Sequence, residues 1–383
     1  MKVAIFGVRD GEYVLERLRE EIHGDECIIS LSDNDKNKQG KTVSGKEVVD
    51  PEKLKQMYLK GEVDTVWIAI RNGYNRYSIV SQLQKAGIKN LSLIKPSVLT
   101  YRLPLGLTGN AKNPCSKQIV DLVQIEKPII YYLEVHAMDS CNLNCKGCLH
   151  YSSLYPANEY PDLDRLLEDI KYLSVKTQIF QLRVLGGEPL LNPNLKKFLK
   201  ELREILPETD LSVVSNGILI PKQDKELFNI MRECEIGFNL TLYPPTRHMK
   251  DVIYKVLNEN RVHYGSHLAK IDEFSKNLSL KEQSRVDTAY KHCISRDSLF
   301  LREGKLYKCP CEALINRFYD EFHIPMHMES GLNIYDPSIE WEKTLVHMCE
   351  YPGNLCRYCS DVPQPYQWEI ATNPKMEDWL IDE

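Results

Sequence analysis

Periodicity and cysteine placement predict an α/β protein: an N-terminal α/β domain, a partial β/α barrel and a small cysteine-rich C-terminal domain. Strand-like and helix-like patterns alternate in two separate series, divided by a stretch that breaks every period. The cysteines gather where the second series begins and again after it ends. A chain of 383 residues is also long for one core, since a domain holds roughly 100–200 residues.

The first series covers residues 1–110. Candidate strands are Lys2–Phe6, Cys27–Leu31, Thr65–Ile70 and Asn90–Ile94, and candidate helices are Glu12–Ile22, Pro51–Leu59 and Tyr74–Ala86. Such alternation favours a parallel sheet covered by helices. Pro104, Gly106, Gly109, Asn110, Asn113 and Pro114 then interrupt the pattern, and residues 111–127 read as a linker.

The second series, residues 128–285, has strands near Ile129–Met138, Gln178–Leu185, Asp210–Ser215 and Glu235–Leu242. Helical stretches fall near Leu163–Leu173, Pro193–Leu206, Asp224–Cys234 and Thr246–Asn258. Repeated βα units predict a partial (β/α)6 barrel of the TIM type. Within these strands the period is two. Tyr132, Glu134, His136 and Met138 oppose Leu133, Val135 and Ala137; Gln181 and Arg183 oppose Phe180, Leu182 and Val184; Asn239 and Thr241 oppose Phe238, Leu240 and Leu242. If the apolar face packs under helices, the polar face lines the lumen. Closed barrels fill their interior with branched apolar side chains, so a polar lumen implies a bound group, or else a satisfied network such as Glu134 with His136.

Composition narrows the function. A net charge of -5 argues against a basic nucleic-acid binder, and no apolar run approaches the roughly 18 residues of a membrane span. The N-terminus turns polar by Arg9, which is too early for a signal peptide, so a cytoplasmic protein without nucleic-acid or membrane partners is expected. Thiols stay reduced in the cytosol. Twelve cysteines therefore point to metal or catalysis rather than to disulfides.

Directly after the first barrel strand stand Cys141, Cys145 and Cys148, a Cys-x3-Cys-x2-Cys loop followed by His150. Thiolates select zinc or iron–sulfur clusters. A zinc reading recruits His150 as fourth ligand; a cluster reading leaves one iron of a [4Fe–4S] cube open to a small molecule. The loop resembles that of the radical S-adenosylmethionine (radical SAM) enzymes, and a second stretch strengthens the resemblance. The next strand runs into Gly186-Gly187-Glu188-Pro189, the turn that in the family holds the amino group of SAM. Glycines permit close backbone approach, and Glu188 would add a countercharge for the ammonium. The resemblance further implies SAM contacts from Ser215 and Asn216 at the end of the third strand and from Asn239 and Thr241 on the fourth. One position departs from the family: the residue before the third cysteine, often an adenine-stacking aromatic, is Gly147. Tyr151 and Tyr243 are the alternative platforms.

Residues 286–383 carry Cys293, Cys309 and Cys311, then Cys349, Cys356 and Cys359. The stretch from Ser298 to Cys309 reads as a hairpin turning at Glu303-Gly304, which would bring Cys293 and Cys309 together. Cys356 and Cys359 form a chelating pair. The pattern alone suits zinc as well as a cluster. It also resembles the SPASM and twitch extensions of radical SAM enzymes, and a twitch-like domain implies one auxiliary [4Fe–4S] cluster on Cys293, Cys309, Cys356 and Cys359. Cys311 and Cys349 are alternates, and Cys311, if free, is a candidate hydrogen-atom donor to a substrate radical.

Gly7 and Gly11 lie at the first strand-to-helix turn and Asp33 follows the second strand, but only two of three dinucleotide-fingerprint glycines are present, at the wrong spacing. The domain resembles Rossmann-like modules fused to sugar-modifying enzymes of polysaccharide biosynthesis. Together these resemblances imply an oxidoreductase or epimerase. It would cleave SAM to a 5′-deoxyadenosyl radical, draw electrons from a flavodoxin or ferredoxin-type donor and abstract hydrogen from a small sugar or nucleotide-sugar. A peptide-modifying radical SAM maturase and a non-enzymatic zinc-binding scaffold are the alternatives.

Overall fold

The computed structural model describes residues 1–22, 25–70, 73–95, 122–268, 271–282, 285–296 and 298–381. Cys115 and the period-breaking residues Pro104 to Pro114 lie outside the described residues. The N-terminal elements are β1 (Val3–Phe6), α1 (Val8–Ile22), β2 (Ile28–Ser32), β3 (Thr42–Val43), β4 (Lys46–Val49), α2 (Pro51–Leu59), β5 (Thr65–Ile68), α3 (Gly73–Lys85), β6 (Leu91–Ile94) and β7 (Leu122–Gln124). Their sheet runs β3-β4-β2-β1-β5-β6-β7. The parallel part, β4-β2-β1-β5-β6, has the strand order of a doubly wound sheet.

Strand β1 shows why it forms there. All four of its residues are buried, because helices cover both faces. Val3 and Ile5 pack with Val14, Leu15 and Leu18 of α1, whereas Ala4 and Phe6 pack with Leu54 of α2 and Val80 and Leu83 of α3. Helix α2 starts as its sequence dictates: Asp50 accepts from the Lys53 amide, and Pro51 fills the first turn. The β3–β4 hairpin has no counterpart in the sequence reading. It turns at Ser44 and Gly45, both at positive φ (47° and 75°). Strand β7 falls within the residues read as a linker and pairs antiparallel with β6.

The central elements are β8 (Ile129–Ile130), β9 (Leu133–Met138), α4 (Leu163–Lys176), β10 (Gln178–Ile179), β11 (Gln181–Gly186), α5 (Leu195–Ile205), β12 (Asp210–Ser215), α6 (Lys225–Glu233), β13 (Gly237–Thr241), α7 (Pro244–His248), α8 (Lys250–Glu259) and β14 (Tyr264–Leu268). Then come β15 (Glu273–Leu278), α9 (Val286–His292), β16 (Leu299–Arg302), β17 (Lys305–Tyr307), α10 (Pro310–Glu321), β18 (Leu332–Asn333), α11 (Trp341–Glu350) and β19 (Cys359–Gln367). Among the described residues, β14-β13-β12-β11-β9-β16 are six parallel neighbours in one sheet, a partial β/α barrel.

The period-two reading holds in this sheet. Leu133, Val135 and Ala137 of β9, Leu182 and Val184 of β11 and Phe238 and Leu240 of β13 join the core under α4, α5 and α6. Phe180, just before β11, packs into the N-terminal core instead. On the other face Tyr132, Glu134, Gln181, Arg183 and Thr241 line one cavity. The sixth parallel strand, β16, comes from the residues read as a separate C-terminal domain and pairs with β9. It turns into β17 at Glu303 and Gly304, both at positive φ (51° and 72°), as the sequence predicts. Strand β19 pairs antiparallel with β15.

Candidate active site

The cavity, about 1400 Å³, spans the length of β9 and beyond. At one end lie Cys141, Cys145 and Cys148 on the loop leaving β9; at the other lie Arg9, Asp10 and Asn75 of the N-terminal domain. Arg76 ties the two domains together. It is buried, donates to the Tyr131 carbonyl (3.2 Å) and to Oε1 of Gln181 (3.0 Å), and sits 4.9 Å from the centroid of Phe180.

The cysteine loop is shaped by contacts from a distant segment. Residues after β19 cross it: the Lys146 amide donates to the Glu369 carbonyl (2.9 Å), the Ala371 amide to Asn144 (2.8 Å) and the Trp379 indole to Cys148 (2.8 Å). Tyr366 donates its hydroxyl to the Lys146 carbonyl (2.6 Å). This strap explains Gly147. At φ 61°, a Cβ there would stand 2.3 Å from the Tyr366 oxygen and 2.5 Å from the Asp378 carbonyl, so the loop leaves no room for a side chain at this position. Of the two alternative platforms, Tyr243 lines the cavity and stacks on Trp368 at 5.6 Å. Tyr151 does not; it is buried in the C-terminal core against Phe318 and Trp379.

Gly186 and Gly187 line the cavity, but the close approach they permit is to the chain itself. A Cβ on Gly186 would lie 1.8 Å from the Met138 carbonyl oxygen, and one on Gly187 2.0 Å from that of Ser140. The turn is thereby clamped to the start of the cysteine loop, with the Gly187 amide donating to Met138 (2.8 Å) and the Glu188 amide to Ser140 (3.0 Å). The residue expected as an ammonium countercharge is Glu188. Its side chain is wholly buried outside the cavity lining and accepts from Ser215 Oγ (2.8 Å) and from the amides of Asn216 (2.9 Å) and Leu190 (3.2 Å). Burial pushes its carboxyl up to about 7. Glu188 positions Ser215 and Asn216, both of which line the cavity; Asn216 in turn donates to Oδ1 of Asn142 (2.8 Å). Pro189 opens a short turn, and Asn239 is buried outside the lining, whereas Thr241 faces the cavity.

A buried network that the sequence did not reveal supports the cysteine loop from behind. Asp139 receives a bidentate pair from Arg302 (2.8 and 3.1 Å) and contacts His136 Nδ1 (2.7 Å). His136 Nε2 meets His150 Nδ1 at 2.9 Å, and His150 lines the cavity. Because a carboxylate only accepts, His136 carries its proton on Nδ1 and accepts at Nε2 from His150. Burial holds both histidines neutral, His150 down to about 3, while His136 and Arg302 hold Asp139 at about 2 against the upward push of burial. Replacing Arg302 by Met leaves a buried carboxylate unpaired and is expected to cost about 3 kcal/mol of stability in denaturant melts at neutral pH. The wild-type contribution is present above the ordinary Asp range near 3.8 and fades as pH falls through about 2, so the two melts should converge on acidification. Equal stabilities at pH 7 would exclude this account.

Cys293, Cys309, Cys356 and Cys359 lie near one another, the first two at opposite ends of the hairpin. Cys359 is pushed up by burial and by Cys309, Cys356 and Cys293 around it, and Cys356 is pushed up to about 12 by burial and the same neighbours. Cys309 opens α10 and accepts the Glu312 amide (3.4 Å); Cys293 accepts the Ser295 amide (3.4 Å). Cys311 joins this group rather than the cavity: its thiol donates to the Leu149 carbonyl (3.3 Å), and Pro310 is its neighbour in the lining. Cys349 packs against the N-terminal core. At the first strand-to-helix turn, whose glycines match the dinucleotide fingerprint poorly, Asp33 accepts the Val8 amide (3.0 Å) and pairs with Lys38 (3.1 Å), so its carboxylate caps α1 where a dinucleotide phosphate would lie.

A cluster with SAM fits the larger cavity. Three thiols from one loop face it, and the buried Ser152 Oγ and Asn277 Oδ1 in its wall have no hydrogen-bond partner among the described residues. Burial pushes the Cys141 thiol up to about 12, so this thiol would have to give up its proton to bind iron. Residues 135–277 match the model of the radical SAM superfamily. GTP 3′,8-cyclase of Thermodesulfovibrio yellowstonii is 32% identical over 103 residues, 26% of this chain and 32% of that protein. The Petrotoga mobilis cyclase is 36% identical over 95 residues, 24% and 29%. These matches thus span about a third of the curated relatives. Among solved structures, BtrN in complex with AdoMet and 2-DOIA is 18% identical with a TM-score of 0.39, covering 62% of this chain and 94% of that one. The three-cysteine loop, the clamped glycine turn and most of the polar lumen lie within residues 135–277, the part of this chain that matches the radical SAM superfamily.

Proposed function

We propose that this chain is an enzyme that uses SAM to oxidise a carbohydrate or nucleotide-sugar. Cys141, Cys145 and Cys148 would hold a [4Fe–4S] cluster, with SAM against the turn at Gly186 and Gly187, Ser215, Asn216 and Thr241. When bound, this pair supplies a 5′-deoxyadenosyl radical that abstracts a substrate hydrogen. The chain's own part is to bind, orient and exclude water. Tyr243, stacked on Trp368, closes the cavity beside the cysteines. Cys293, Cys309, Cys356 and Cys359 would hold an auxiliary cluster that takes the second electron of an oxidation. Oxidation is preferred to epimerisation because the thiol read as a donor, Cys311, is outside the cavity lining.

One observation carries the substrate class: polar side chains recur in the cavity wall from the cysteines to the N-terminal domain, among apolar ones such as Leu185, Val214 and Ile70. Tyr132 donates to Glu134 (2.6 Å), Arg183 lies 4.8 Å from the Tyr132 ring, and Gln181, Asn75, Arg9 and Asp10 continue the wall. Alternating donors and acceptors of this kind suit a polyhydroxylated molecule. The test is anaerobic turnover of cluster-loaded, dithionite-reduced protein with SAM and a panel of UDP- and GDP-sugars, with GTP alongside. Formation of 5′-deoxyadenosine stimulated by a sugar nucleotide, with a product two mass units lighter, is the expected result. Stimulation by GTP or by a peptide alone would overturn the substrate assignment.

A further inference from the structure

Oxidation of an alcohol carbon releases a hydrogen atom, an electron and the hydroxyl proton. The proposed function assigns an acceptor to the first two, and the proton needs one in the cavity wall. Among the described residues the wall holds four carboxylates: Asp10, Glu134, Asp272 and Glu273. Asp272 is paired with Arg247 (2.5 Å), and the exposed Glu273 accepts from Gln367 (3.0 Å). Asp10 lies in the first turn of α1, at the N-terminal-domain end of the cavity. Glu134 is the one carried by a parallel barrel strand, on the lumen face of β9.

The surroundings of Glu134 suit it to take a proton. Its Oε1 accepts the Tyr132 hydroxyl (2.6 Å), which fixes the carboxylate, while Oε2 has no hydrogen-bond partner among the described residues and opens into the cavity. On the neighbouring strands Arg183 of β11 and Phe300 of β16 stand in register with it. Tyr132 and Arg183 are thus the titratable and charged groups that face it. Burial pushes its carboxyl up, and Tyr132 and Arg183 pull it down. The upward push prevails, so this carboxylate is a better base than a free one.

We propose that Glu134 is a catalytic residue that accepts the hydroxyl proton of the substrate alcohol at Oε2 as the carbon bearing it is oxidised. The carbon loses its hydrogen atom to the 5′-deoxyadenosyl radical, which becomes 5′-deoxyadenosine. The O–H bond breaks with its proton passing to Glu134, and the remaining electron passes to the auxiliary cluster, leaving a carbonyl group. Tyr132 is a positioning residue, because it acts through Oε1 and leaves Oε2 to the substrate.

The inference rests on the proposed sugar oxidation, and the experiment separates the two. Cluster-loaded, reduced full-length protein is given SAM and ring-deuterated UDP-glucose, UDP-N-acetylglucosamine and GDP-mannose, and deuterium in 5′-deoxyadenosine is measured beside the keto product. Glu134→Gln keeps an oxygen for Tyr132 but cannot take a proton. It is expected to retain the electron paramagnetic resonance signal that responds to SAM and the deuterium transfer, and to lose at least about a hundredfold in keto product. In the wild type, single-turnover keto formation should fall as pH drops through the Glu134 carboxyl. Tyr132→Phe, which removes a bond that favours the carboxylate, should move that midpoint to higher pH with product still formed. Keto product at the wild-type rate in Glu134→Gln overturns this assignment alone. So does loss of deuterium transfer in Glu134→Gln with the SAM-responsive signal intact, or an unmoved midpoint in Tyr132→Phe. A wild type that transfers no deuterium from any of the three sugars overturns the functional reading together with it.

Discussion

Replacing Cys141, Cys145 and Cys148 together by alanine is expected to remove about four iron and four sulfide per chain and to abolish SAM cleavage. The three thiols share one loop and one cavity wall, and the auxiliary cysteines belong to a different group of side chains. The second cluster should therefore persist in the triple variant. Iron and sulfide analysis with 5′-deoxyadenosine quantification checks both halves. A triple variant that keeps its full iron complement would show that the loop is no cluster site. A wild type that binds zinc without sulfide would favour the scaffold reading instead.

The second large effect is expected at a residue that ligates nothing. Gly186→Ala puts a Cβ 1.8 Å from the Met138 carbonyl oxygen, and the conflict is between two backbones that hydrogen bonds already fix. Side chains can turn away from a clash; paired strands cannot, so β9 and β11 must part at the point where the cysteine loop begins. We expect a stability loss of more than about 3 kcal/mol, or failure to load the SAM cluster in whatever fraction folds. Gly40→Ala is the control. It too has a positive φ, 75° against 148° at Gly186, but nothing within 4 Å of the new atom, so it reports the ordinary left-handed cost of about 1 kcal/mol without a clash. If the two variants melt alike and Gly186→Ala loads iron normally, the clamp described here is wrong.

The elements that sequence periodicity could reach were those whose pattern is decided locally. The strand over Asp210–Ser215 and the helix over Pro51–Leu59 lie where the sequence places them. Short-range apolar alternation and an Asp-Pro start carry enough information by themselves. The polar lumen was legible for the same reason, because a period of two sorts a strand's residues onto two faces whatever the partner strands are. The β3–β4 hairpin and β7 were not. Two or three residues hold too little periodicity, and β7 exists because β6 offers an edge. The sixth parallel strand was read as part of a separate domain because nothing in Leu299–Arg302 shows that β9 has an edge free for it.

The site divides along the same line. By itself the sequence determined the three-cysteine loop, the glycine turn at the end of the next strand and the grouping of the late cysteines, since each depends on residue type at short spacing. Tertiary structure alone decided what those residues touch. It turned Glu188 from a ligand contact into a buried support for Ser215 and Asn216, and drew Cys311 in among the other cysteines. It set Tyr366, from the far end of the chain, against Gly147, and joined Arg302 to Asp139 across 163 residues. The physical reason is common to all four: an acceptor, a cavity wall or a steric limit is set by whichever segment arrives next to a residue, and spacing along the chain does not specify that segment.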